Sequence, residues 1–192
     1  MIWITSDTHF CHDKEFLYAP RGFTNPNDMN EAIIANWNSV VGPLDEVYHL
    51  GDVMLNDNHK GLKCLKQLNG RIHILRGNHD TDKRVSLYAE CWNVVEIDAA
   101  TYMDYGKYHF FLSHYPCMTG NFDYDKPLKA RLISLCGHSH TQDRWSDWVN
   151  HPIYHCELDA HNNTPISMEQ IIEDIKLRTL TTKEKGEDTW IF

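Results

Sequence analysis

No stretch of this chain approaches the run of about 18 apolar residues that spans a bilayer, so no transmembrane segment and no membrane partner are expected. There is no CxxC pair. The six cysteines (Cys11, Cys64, Cys91, Cys117, Cys136 and Cys156) stand apart, which excludes a zinc-finger framework and reads as reduced thiols in a cytoplasm-like compartment. Clustered basic residues are missing as well. A formal charge of −9 argues against a broad non-specific nucleic-acid surface, which needs Lys and Arg to displace counterions, so no stable nucleic-acid partner is expected. A small anionic substrate is not excluded, because bound cations reverse the local field. Met1-Ile2-Trp3-Ile4 has no basic region before it and no small-residue cleavage site after it, and reads as a buried strand rather than a signal peptide. Repeats, low-complexity tracts and Pro/Gly/Ser linkers are also lacking. One domain over residues 1–180 with a polar tail over 181–192 is therefore expected.

What is present is ordinary in bulk and unusual in one respect. The 192 residues suffice for a real core, and 42% hydrophobic and 11% aromatic residues are globular values. Thirteen histidines are the odd feature. Histidine is the commonest side-chain metal ligand and a general acid or base, so the positions of these residues decide the reading.

Short apolar runs alternate with helix-period segments, the pattern of an α/β protein. Strands are expected at Ile2–Thr5, Glu46–Leu50, Arg71–Leu75, Asn93–Ile97, Tyr108–Leu112, Leu132–Cys136 and Ile153–Leu158. Asp104-Tyr105-Gly106-Lys107 reads as a hairpin turn between Thr101–Met103 and Tyr108–Leu112. Asp28 with Glu31 forms a capping-box pattern ahead of Ile33, Ile34 and Trp37. Leu62, Leu65 and Leu68 recur at helical spacing and stop at Asn69-Gly70, and Ser167 with Gln170 caps a last helix carrying Ile171, Ile172 and Ile175.

Polar residues gather directly after five of these strands. Asp7 and His9 follow the first, Gly51-Asp52 the second and Gly77-Asn78-His79-Asp80 the third. Ser113-His114 follows Tyr108–Leu112, and Gly137-His138-Ser139-His140 follows Leu132–Cys136. The C-terminal ends of strands are where sites form in α/β sheets. Caps and loops alone do not call for so many imidazoles. Two divalent metals clamping a phosphate need a carboxylate able to bridge, neutral imidazoles and hard oxygen donors. Asp7, His9, Asp52, Asn78, His114, His138 and His140 supply that set. Mixed nitrogen and oxygen ligation without thiolate suits Mn, Fe, Zn, Co or Ni, with manganese favoured here.

The ordered blocks Asp7-Thr8-His9, Gly51-Asp52, Gly77-Asn78-His79-Asp80, His114 and Gly137-His138-Ser139-His140 resemble the signature blocks of the calcineurin-like metallophosphoesterases over about residues 1–140. Ser6-Asp7-Thr8-His9-Phe10, Asn36-Trp37-Asn38 and Tyr48-His49-Leu50-Gly51-Asp52 are most similar to the small bacterial and phage members. The resemblance implies two facing mixed β-sheets between helices. It implies that Asp7, His9 and His140 hold one metal, that Asn78, His114 and His138 hold the other, and that Asp52 bridges them. His79 would then face the substrate, stabilising phosphoryl charge or protonating the leaving oxygen, with Asp80 orienting it. Arg76 is a candidate phosphate contact. The protein phosphatases of this superfamily carry an acidic residue three positions after the bridging aspartate; Leu55 stands there, against activity of that type.

The other histidines read more blandly: His49, His73 and His109 as satisfied sheet residues, and His59, His151, His155 and His161 as surface or loop residues, the last two near the site rim. His12 could contact substrate or support a ligand, and Cys11 reads as a packing residue. Trp145 and Trp148 fit either an aromatic wall for a nucleotide base or an ordinary apolar patch. The function expected is hydrolysis of a small phosphate ester, a diester in preference to a monoester and a nucleotide among the candidates, by a hydroxide bridging two metals. The alternatives are a phosphomonoesterase, a nuclease and a metal-free scaffold, the last opposed by a full ligand set.

Overall fold

The computed structural model describes residues 1–117, 132–146 and 152–184. Its centre is a run of three short apolar strands, β1 (Ile2–Thr5), β2 (Glu46–His49) and β3 (Arg71–Leu75), paired in parallel. β4 (Val94–Asp98) joins one edge in parallel, and β10 (Ile166–Ser167) joins the other antiparallel. A second sheet has the order β5-β6-β7-β9-β8, built from β5 (Ala100–Tyr105), β6 (Tyr108–Ser113), β7 (Leu132–Cys136), β9 (Ile153–His155) and β8 (Trp145–Ser146). Within it β6, β7 and β9 run parallel, whereas the outer pairs are antiparallel. The chain is thus α/β, with two facing mixed sheets, as its pattern implied.

Strand periodicity sorts the core into two layers. Ile4, Leu50 and Leu75 from the first sheet meet Phe110, Leu112, Ile133 and Leu135 from the second, joined by Met168, Ile171 and Ile175 of α5 (Met168–Glu184). Trp3, Val47, Ile72 and Ile74 point the other way. They pack on Met29, Ile33 and Trp37 of α2 (Pro26–Val40), Leu65 of α3 (Asn58–Leu65) and Tyr88 of α4 (Asp82–Tyr88).

Several boundaries differ from expectation for local reasons. The cap of α2 is Asn25, whose side-chain oxygen accepts from the backbone N–H of Asn27 and Asp28 at 3.0 Å, with Pro26 opening the helix; the Asp28–Glu31 box is not used. Helix α3 stops at Leu65 rather than at Leu68, because the N–H groups of Gln67 and Leu68 tighten onto Cys64 and Leu65. The strand expected at Ile153–Leu158 ends at His155, and a 3-10 turn follows over Leu158–His161. The short α1 (Glu15–Tyr18) and α4 carried too few apolar repeats to be read. Helix α5 continues to Glu184, past the expected start of the tail, while residues 185–192, His151, Trp148 and residues 118–131 lie outside the described residues. The hairpin forms, but its turn is Gly106-Lys107 alone, because Asp104 and Tyr105 belong to β5, with Tyr105 opposite Tyr108 and Gly106 at φ 60°. Ser167 Oγ caps α5 by accepting from Gln170 N at 3.1 Å.

Among the described residues no helix is long and apolar enough to cross a membrane, and all six cysteines are free thiols. Trp37 is fully buried and donates its indole N–H to Asn69 O at 2.9 Å. Trp37→Ala is expected to cost about 3–5 kcal/mol, read as a lower midpoint in urea unfolding.

Candidate metal centre

Strands β1, β2 and β3 are parallel neighbours, so their C-terminal ends share one edge; β6, β7 and β9 do the same in the second sheet. A parallel bridge between Ser6 and Glu157, with Leu158 N donating to Ser6 O at 3.3 Å, joins the two edges. All seven expected ligands lie just beyond these ends. Their backbone is unusual: Asp7 (φ 57°), His9 (45°), Asp52 (57°), His138 (73°) and His140 (49°) adopt the left-handed region. Asp and His enter that region more readily than most residues, and strained backbone concentrates at functional sites. Two glycines allow the crowding. A Cβ on Gly77 would collide with Asp52 Oδ1 and the Asp52 N–H, and one on Gly137 with Ser6 Oγ and Asp7 Oδ2.

The side chains converge in two groups. Ligand atoms of Asp7, His9 and His140 all lie within 4.8 Å of one another, as do those of Asp7, Asp52 and His114. Asp52 Oδ2 is 3.5 Å from His9 Nε2 and 3.6 Å from His114 Nε2. Asn78 Oδ1 and His138 Nδ1 lie 2.9 and 3.1 Å from that same His114 Nε2. Ring protons are placed by outer partners. His114 Nδ1 donates to Leu50 O at 2.8 Å, so a neutral ring presents bare Nε2 to the cluster. His140 Nδ1 faces Asp159 Oδ2 at 3.1 Å, turning Nε2 toward Asp7 Oδ1 at 3.7 Å.

These residues fit divalent cations. Asp7 Oδ1 and both ring nitrogens of His9 are buried without a hydrogen-bond partner, a costly arrangement unless something else satisfies them. Burial pushes His9 down to about 4, against the pull of Asp7, so the ring is the neutral imidazole a metal requires. Burial raises Asp7, but the neighbouring His9, His140 and His114 outweigh it and hold the carboxyl well below the usual range. Burial pushes Asp52 up to about 6, the reverse of what a bound cation would do.

The other expected site residues divide. The His79 side chain is 41% exposed, its Nε2 4.0 Å from Asp52 Oδ2, so it stands at the open side of the cluster. Asp80 does not reach the His79 ring. Its buried carboxylate accepts from Asp52 N (2.7 Å), Gly77 N (2.9 Å), Val53 N (3.2 Å) and Tyr88 OH (2.7 Å), which braces the Asp52 loop instead. Arg76 turns away: its guanidinium donates to Asp80 O at 3.0 Å and to Asp82 Oδ1 at 2.7 Å. His12 is buried, its ring 5.4 Å from that of His9, and its Nδ1 accepts from Lys14 N at 3.2 Å. His49, His73 and His109 are satisfied as expected, by Thr8, by Glu46 with Glu96, and by Asp104 with Tyr102. His155 and His161 are buried rather than at the surface, His155 beside Ser146 and Glu157, and His161 donating to His155 O. Trp145 packs edge-on against Tyr154.

Three residues escaped the sequence reading. Asp159 orients His140, and Arg21 grips Asp159 through two hydrogen bonds (3.0 and 2.7 Å) while donating to Asp7 O at 2.8 Å. Both are buried or nearly so, and Arg21 and His140 hold Asp159 down to about 2 against burial. Arg84 donates to His79 O and to Asn58 Oδ1, tying the His79 loop to α3. The available signal was the polar run His155–His161, which ends a sixth strand as the other blocks end theirs.

Carboxylates and imidazoles with unsatisfied lone pairs, at the joined C-terminal edges of two mixed sheets, fit a site for divalent cations. Residues 1–150 match the calcineurin-like phosphoesterase superfamily domain, and the chain belongs to that superfamily of metal-dependent phosphoesterases. An uncharacterized protein of Methanocaldococcus jannaschii, MJ1445, is 32% identical over 181 residues, covering 91% of each chain. The gene 66 protein of Mycobacterium phage L5 is 28% identical over 180 residues, which are 82% of this chain and 86% of the phage protein. A solved structure of a protein of unknown function from Aquifex aeolicus, AQ665, shares the fold with a TM-score of 0.65 at 24% identity, covering 90% of this chain and 98% of its own.

Two substitutions test the centre. Asp159→Ala is expected to weaken metal retention about 10–100-fold, measured by calorimetric titration with manganese. Gly77→Ala displaces the Asp52 carboxylate and should lower the metal content found by elemental analysis, while far-UV circular dichroism keeps its sheet signal.

Proposed function

We propose that the chain is a two-metal phosphodiesterase acting on a small ester, with manganese as its working metal. The carrying observation is the position of Asp52 Oδ2, 3.5 Å from His9 Nε2 and 3.6 Å from His114 Nε2, which suits a carboxylate shared by two cations. The ligand assignment that fits is Asp7, His9 and His140 on one side, Asn78, His114 and His138 on the other, and Asp52 between. When bound, two such cations lower the pKa of a shared water toward about 7 and neutralise the charge on the phosphoryl oxygens. The protein's own groups do the rest. Asp7 and Asp52 fix the charge, and the outer partners Leu50 O and Asp159 hold the His114 and His140 rings in ligating tautomers. His79, on the open side, protonates the departing oxygen. His12, at the same end, bounds the leaving-group space. Arg76 reaches phosphate only by exchanging its Asp82 contact.

The acidic balance and the absence of a basic arm favour small esters over long polynucleotides. Six free thiols suit a cytoplasmic setting, and a single domain over residues 1–180 suits the shared core.

The test is hydrolysis of bis-p-nitrophenyl phosphate and p-nitrophenyl phosphate by manganese-loaded protein, with Asp52→Asn as control. Diester turnover that chelation abolishes, manganese restores and Asp52→Asn lacks is the expected result. Turnover of the monoester alone would move the substrate class and keep the mechanism; turnover of neither with two metals bound would sink the proposal.

A further inference from the structure

Large aromatic side chains that remain in water need a reason when they sit beside a reaction centre. Among the described residues four aromatics are strongly exposed: Phe16 (73%), Trp92 (71%), Tyr102 (55%) and Tyr115 (49%). Trp92 donates its indole N–H to Lys66 O, and Tyr102 stacks on His109 at the outer strand β5. The other two meet imidazoles at the site, Tyr115 those of candidate ligands and Phe16 that of His12 beside them. Phe16, on α1, meets His12 edge-on with ring centroids 5.5 Å apart, and His12 in turn meets His9 at 5.4 Å. Tyr115 meets His138 at 4.8 Å and His114 at 5.0 Å, also edge-on. Phe16 is thus linked to the cluster through His12 and His9, and Tyr115 through His114 and His138.

Both are placed by the backbone. Phe16 lies within the turn closed by the hydrogen bond from Leu17 N to Lys14 O. The Tyr115 carbonyl accepts from Ser113 Oγ at 2.9 Å and from Cys117 Sγ at 3.3 Å. In each contact the ring meets the histidine edge to face or nearly so, with interplanar angles of 80°, 65° and 73°. Contacts of this kind leave much of each ring surface open for a further planar group, which favours an offset stacked geometry.

We propose that Phe16 and Tyr115 are specificity residues of this site, stacking the two organic groups of a phosphodiester whose substituents carry planar rings, as nucleosides do. The inference rests on the phosphodiesterase reading above, and that reading also divides the two roles. His79 stands on the His9 side, the two rings 5.5 Å apart, so the leaving group departs past His12 and stacks on Phe16. The group retained on phosphorus extends past His138 and stacks on Tyr115. Trp145, packed on Tyr154, takes no part.

Two chromogenic esters separate the roles. The p-nitrophenyl ester of thymidine 5′-monophosphate carries a ring on both sides, and p-nitrophenyl methyl phosphate carries one on the leaving side only. Phe16→Ala is expected to raise KM for both about tenfold, whereas Tyr115→Ala raises KM for the thymidine ester about tenfold relative to the methyl ester. Phe16→Tyr and Tyr115→Phe, which keep the rings, should restore the wild-type KM values. The exposed positions make folding safe to compare by thermal melts. Equal KM for wild type and both alanine variants on both esters would overturn the proposal while leaving the phosphodiesterase reading intact. If the wild type cleaves neither ester with metals bound, the phosphodiesterase reading itself fails.

Discussion

The buried carboxylate of Asp80 holds the rest of the centre in place. It accepts three backbone N–H groups, from Asp52, Val53 and Gly77, and a phenol proton from Tyr88. Charge-assisted hydrogen bonds of this kind are stronger than neutral ones, and here they tie the loop after β2 to the loop after β3. Asp52 is thereby locked at φ 57° with its side chain aimed into the cluster, and its Oδ1 accepts from His79 N at 2.8 Å. Helix α4 supplies Tyr88 and so anchors the bridging position from the outer layer. A residue expected to steer a catalytic imidazole turns out to steer the backbone around it.

The same economy appears in the second sheet. Arg21 lies far from the strand ends in sequence, yet one guanidinium joins Asp7 O to Asp159, and Asp159 fixes His140. Two ligands of one cluster thus answer to a single buried ion pair. Such a pair is costly to form and more costly to break, and a requirement for ring orientation explains its presence better than stability does. The chain's net charge of −9 is consistent with a site whose positive potential comes from bound cations rather than from its own side chains.

Much of this was legible beforehand. The strands around the site were read nearly to the residue, because period-2 apolar runs ending in polar blocks leave little ambiguity. All seven ligand candidates come together as their order suggested. What escaped had physical causes. Asn25 was passed over as a cap because Asp28 and Glu31 offered a plausible one three residues on. His155 and His161 looked like loop residues, since sequence shows neither the bridge from Ser6 to Glu157 nor the burial it brings. Asp159 and Arg21 act through tertiary contacts over 138 residues of separation, which no local pattern encodes. Phe16 and Tyr115, the exposed rings beside the imidazoles, are single residues without a motif, so nothing in the sequence set them apart.

The left-handed backbone at Asp7, His9, Asp52, His138 and His140 carries a consequence for how such a site can change over time. Asp, Asn and His tolerate that conformation better than other side chains, and they are also residues whose oxygens and imidazole nitrogens ligate divalent metal ions. Two unrelated demands, one from the chain's geometry and one from coordination, therefore select the same few letters. A lineage that gave up catalysis would still be pressed to keep Asp, Asn or Gly at these turns, so surviving aspartates say little about surviving chemistry. The imidazoles are the better witness, because the turn alone is served as well by Asn or Gly as by His.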